Sequence, residues 1–77
     1  MIVRVLGVQK VEFVNALGEQ IQGNNIFVSY PDERVVGEKA EKFFVKPEVA
    51  FPEQMKIGEQ INLSFNNKGK VEQITRK

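Results

Sequence analysis

Phe13, Gly18 and Gly23 punctuate the run Phe13-Val14-Asn15-Ala16-Leu17-Gly18-Glu19-Gln20-Ile21-Gln22-Gly23, with Val3, Val5, Val8 and Val11 before it and Ile26, Phe27 and Val28 after it. β-Branched and aromatic residues fit a pleated strand. Asn15-Ala16-Leu17-Gly18 is a turn signal, because glycine reaches positive φ without a steric penalty. This spacing predicts a long, bent N-terminal β-hairpin, and no stretch carries apolar residues at helical period for more than a turn or two. Whatever the chain does must rest on a β-scaffold and its loops.

The remaining segments continue the pattern. Gly7 interrupts the first strand, Ile2 to Val14, where a bulge or bend is expected and the inward-facing parity should switch. The returning strand should run to Tyr30 with a bend at Gly23-Asn24-Asn25, and Pro31-Asp32-Glu33 should end it. A third strand is expected from Arg34 or Val35 to Lys46, with a bulge at Gly37. Pro47 to Met55 reads as an irregular connection holding one helical turn and covering an open end of the core with Phe51. Ile61, Leu63 and Phe65 alternate with polar residues as in a half-buried strand, and Asn66-Asn67-Lys68-Gly69 signals a hairpin. In the last strand, Lys70 to Arg76, Val71 and Ile74 have opposite parities, which calls for a bulge or a frayed end. Five strands in residues 1–77 predict one all-β domain. A five-stranded small barrel of the OB type is expected, with an SH3-like barrel as the alternative. Closure would also remove the exposed sheet edges.

Composition narrows the chemistry. The chain has no Cys and no His, so disulfides and thiolate sites are excluded, along with the commonest general base and zinc ligand. The acidic residues are spread along the chain, and adjacent pairs such as Asp32-Glu33 fall in turns, where an exposed carboxylate lacks the burial that would raise a catalytic pKa. Ser29 and Ser64 have no His to activate them, a Lys base would have to be buried beside one, and no glycine loop opens a helix to cradle phosphate. A non-catalytic protein without cofactor or metal is expected. No apolar run is long enough to span a membrane, and Met1 leads directly into a strand pattern, so no membrane association and a cytoplasmic location are expected.

Single-stranded nucleic acid requires only a groove, cations along its rim and aromatic faces for stacking. The net charge of +1 decides nothing, because local charge is what a polyanion meets. Candidate phosphate contacts are Lys39, Lys42 and Lys46 on the third strand, Lys68 and Lys70 on the last hairpin, and Arg76. Candidate stacking faces are Phe44 and Tyr30. Phe43 and Phe44 are adjacent in a strand and must point to opposite faces, so one is core and the other is free for another role.

The Met1-Ile2 start, the Phe13-x4-Gly18-x3-Gln22-Gly23 spacing, the Val45-Lys46 strand ending and Gly69 followed by Arg76 together resemble the filamentous-phage single-stranded-DNA-binding proteins of the gene V type. The resemblance implies an OB-like five-stranded barrel, a two-fold homodimer and cooperative, sequence-independent binding of single-stranded DNA, in a phage or another mobile element. In that family the hairpin arm carries DNA-contacting arginines, a lysine and a tyrosine, where this chain has Ala16, Ile21, Asn24 and Ile26. Lys68 replaces the aromatic beside the last hairpin's glycine, and Lys46 and Arg76 are the positions that carry over. Two functions follow as expectations: a binder of single-stranded DNA, or an assembly module that docks through Leu17 and Ile21 on its arm.

Overall fold

The computed structural model describes all 77 residues. Five strands form in chain order: β1 (Ile2–Val14), β2 (Gln20–Pro31), β3 (Glu38–Val45), β4 (Gln60–Phe65) and β5 (Val71–Arg76). They make one antiparallel sheet in the order β3-β2-β1-β4-β5. The sheet curls until its outer strands β3 and β5 approach each other. They do not hydrogen-bond, so the sheet is barrel-like and left open along one seam, where the sequence led us to expect closure.

Two bulges reconcile an imperfect alternation with one buried face. Val5 lies opposite Val28 and Gly7 opposite Phe27, which leaves Leu6 as the extra residue. Val3 and Val5 therefore point inward before the bulge, and the parity changes after it, close to where Gly7 signalled. In the last hairpin Ser64 opposes Gln73 and Phe65 opposes Val71, so Glu72 is extra. That insertion lets Val71 and Ile74 both be buried despite their opposite parities.

The core comprises Val3, Val5, Ile26, Val28, Val45, Ile61, Leu63, Val71 and Ile74. Phe43 faces inward and tilts against Phe65, with ring centroids 5.3 Å apart, while Phe44 stays 40% exposed on the opposite face. The connection between β3 and β4 packs Val49, Phe51 and Met55 against the core. It does so through turns, without the helical turn expected there.

The turns Asn15–Glu19 and Asn66–Lys70 share one construction. In each, the Asn side-chain oxygen accepts backbone N–H groups two and four residues on, from Leu17 and Glu19 and from Lys68 and Lys70, at 2.9–3.0 Å. Gly18 and Gly69 take φ of 78° and 77°, the left-handed geometry these turns require.

The start of β3 and the course of β2 differ from expectation. β3 begins at Glu38, because Asp32 accepts from the backbone of Arg34 and Val35 and holds those residues in a turn. Gly37, at φ 93°, belongs to that loop and forms no bulge. Gly23-Asn24-Asn25 does not interrupt β2, whose pairing with β1 is continuous from Gln20 to Phe27. Gly23 is needed there for clearance: a Cβ would stand 2.5 Å from both Phe44 Cζ and the Val45 carbonyl oxygen. The Gly23→Ala variant should lose about 1–3 kcal/mol of stability from this overpacking, read as a lower urea midpoint at unchanged m-value.

Candidate nucleic-acid interface

Strand alternation sets Lys42, Phe44 and Lys46, in and just beyond β3, on the face opposite inward-pointing Phe43 and Val45. Lys42 lies directly across from Phe27, which is exposed on the same face of β2. Across the open seam, the Asn66 turn holds the backbone of Lys70 at the start of β5. The seam is a cleft of about 270 Å³ lined by Lys42, Phe43, Phe44, Lys46, Gly69, Lys70 and Val71. Val71 is buried and Phe43 half-buried, giving an apolar floor beneath three lysines. No carboxylate lines the cleft, and none of the three lysines is in an ion pair.

A second groove of about 340 Å³ adjoins the cleft at Phe44 and Lys46 and continues along Gln20, Ile21 and Gln22 to Pro47 and Glu48. Phe44 thus stands between two grooves, with its ring tip against the bare backbone of Gly23. A flat aromatic flanked by cations, over an open trough, can stack a base while its neighbours meet the backbone phosphates.

Of the eight residues expected to contact nucleic acid, four meet here: Lys42, Phe44, Lys46 and Lys70. Lys39 has the inward parity and lies opposite Tyr30, on the other side of the β2–β3 sheet from Phe44. The Tyr30 hydroxyl donates to the Glu41 carboxylate. That hydrogen bond, together with partial desolvation and the nearby negative charge, raises the phenol's pKa. Tyr30 is therefore tied down away from the cleft. Lys68 is exposed at the tip of the last turn and does not line the cleft. Arg76 lies at the far end of β5, paired through Nε with Glu59 Oε2 at 2.9 Å and donating to the Glu53 carbonyl.

Arg76 and Glu59 line a hollow of about 530 Å³ together with Gln54, Lys56 and Ile57. Arg76 and Glu59 are paired with each other there, and Lys56 is the lining cation without an ion-pair partner. Of the two arm residues, Leu17 is 82% exposed in the turn. Ile21 lies opposite Phe13 and lines the groove beside Phe44. Phe27, which alternates in sequence with the core residues Ile26 and Val28, stands exposed on the same face as Lys42.

No helix of the protein is long and apolar enough to cross a membrane. Comparison with known proteins returned no matching family model, no matching curated protein and no matching solved structure.

The Glu59 carboxyl is held below its ordinary pKa, first by the hydrogen bond from the Lys56 backbone N–H and then by Arg76, against a partial desolvation that opposes both. A depressed folded-state pKa contributes stability that is complete above the unfolded value of 4.5. That contribution is lost as pH falls through the folded value. Glu59→Gln should therefore lower Tm modestly at pH 7, and the difference from the parent should shrink as the pH falls below that range. Thermal melts across a pH series check both the sign and the window.

Proposed function

We propose that this chain is a non-catalytic binder of single-stranded DNA, with the strand running along the open seam between β3 and β5. The observation that carries this reading is the convergence of Lys42, Phe44, Lys46 and Lys70 on one carboxylate-free cleft. In this reading Phe44 stacks a base, the three lysines contact successive phosphates, and the adjoining groove beside Ile21 takes the next nucleotide. Stacking and phosphate contacts carry little sequence information, so the binding is sequence-independent.

The topology favours an OB-like identity for the scaffold. Joining the strand order β3-β2-β1-β4-β5 through the seam gives a five-stranded ring of the OB kind. Such barrels receive oligonucleotides on their β2–β3 face and the loops between β1 and β2 and between β4 and β5. The cleft uses that face and the Asn66 turn. The resemblance to the gene V type of phage protein supports the same ligand, with Lys46 as the carried-over residue that reaches the cleft. Arg76, bound to Glu59, has no part in it.

Fluorescence anisotropy with labelled oligo-dT tests the proposal at about 50 and about 200 mM salt, a span over which phosphate contacts weaken visibly. Phe44→Ala should lose about 1–3 kcal/mol of binding. The triple variant Lys42→Ala, Lys46→Ala, Lys70→Ala should flatten the log–log salt slope by about 2, at about 0.7 per phosphate on a single strand. No binding at the lower salt, or a Phe44→Ala variant that binds like the parent, would refute it.

A further inference from the structure

The arm leaves one long strand edge without a partner. β4 pairs with β1 only over Ile2–Arg4. The Val5 N–H donates to the Glu59 carbonyl, and the Val5 carbonyl accepts from Gly58 N–H. From Leu6 to Val14 the β1 backbone meets β2 on one side and nothing on the other. Asn15 N–H donates to Glu19 O toward β2, and the pairing from Val8 to Val14 is continuous. By the alternation of an antiparallel ladder, Val8, Lys10, Glu12 and Val14 therefore aim their N–H and C=O groups outward.

Natural proteins blunt such edges with proline, bulges or repelling charges. This one has its bulge at Leu6, where the free edge begins, and no proline from Gly7 to Asn15; its only charges there are Lys10 and Glu12, of opposite sign and 4.0 Å apart within the chain.

We propose that this edge pairs with the same edge of a second copy, antiparallel about a two-fold axis through Val11. That register places Lys10 of each copy directly opposite Glu12 of the other, as a hydrogen-bonded pair with opposite charges. Val8 then faces Val14, and Val11 faces its own copy. The strand is self-complementary about Val11 in both backbone and charge, which is what commits the edge to a second copy over an unrelated partner. The same register carries the exposed Leu17 toward the end of the other copy where Leu6 and Ile57 are exposed.

The axis is perpendicular to the joined sheet, so both Phe44 faces lie on one side of it. The pairing stands independently of what those faces bind.

Sedimentation velocity over a concentration series tests it. The parent chain should dimerise. Lys10→Glu alone and Glu12→Lys alone should each raise the dissociation constant about tenfold or more, because each sets two like-charge pairs across the axis. Mixed one to one, the two variants should form a heterodimer of parental affinity, since every acid then faces a lysine. Both sites are exposed, and circular dichroism should confirm an unchanged fold in each variant.

The chain has no cysteine, which permits a second readout. Val11→Cys should form an intermolecular disulfide on mild oxidation, because non-hydrogen-bonded neighbours bring Cα atoms to about 4.5 Å. Gln9→Cys should not, because its copies would stand roughly 13 Å apart, four residues out of register. A monomeric parent, single variants that dimerise like the parent, a mixture that stays monomeric, or equal crosslinking at both sites would each overturn the proposal.

Discussion

The extra residue at Leu6 is the constraint on which the architecture depends. Up to Val5, β1 sits in the middle of the sheet, bonded to β2 on one side and to β4 and its entry turn on the other. Val3 and Val5 there supply two of the core's fully enclosed side chains. One inserted residue later, the strand has changed its inward parity and parted from β4. The rest of β1 and the start of β2 then project as an arm. A strand without the bulge would carry one parity along its whole length. The single core that Val5 and Ile26 share across the bulge would then lose its register.

The open seam follows from how the outer strands end. β3 and β5 approach without forming a ladder, so backbone groups along their edges remain available and their side chains rim a trough. Phe43 and Val71 floor it, and the Asn66 turn fixes where Lys70 begins. Phe44 is held outward by simple alternation from Phe43, and the absence of a side chain at Gly23 leaves room for its ring. The cleft is thus a by-product of the core's own requirements: inward packing on β3 determines which residues face out.

Much of this was legible in the residues. Ile61, Leu63 and Phe65 announced β4 by strict alternation. Asn66 through Gly69 announced the last turn, and the parity conflict of Val71 and Ile74 announced the bulge at Glu72. Parity could also have separated Lys39 from Lys42, because residues three apart on a strand face opposite ways. The same rule would have set Tyr30 apart from Phe44 once their strands were paired. Other features needed contacts distant in sequence. Nothing local marks Arg76 as bound by Glu59, or Gly23 as the clearance for Phe44. The start of β3 moved because one side chain, Asp32, captured the amide that follows, a local contest that strand propensity does not foresee.

The proposed contact between a single strand and the open seam is open to direct measurement. Amide chemical shifts of the isotope-labelled chain, recorded by NMR during titration with oligo-dT, read that contact residue by residue. The predicted result is a contiguous set of shifts at Lys42, Phe44, Lys46, Gly69 and Lys70, extending to Ile21, with Arg76 and Glu59 unmoved. Shifts centred on the Arg76–Glu59 hollow, or none at saturating oligonucleotide, would contradict it.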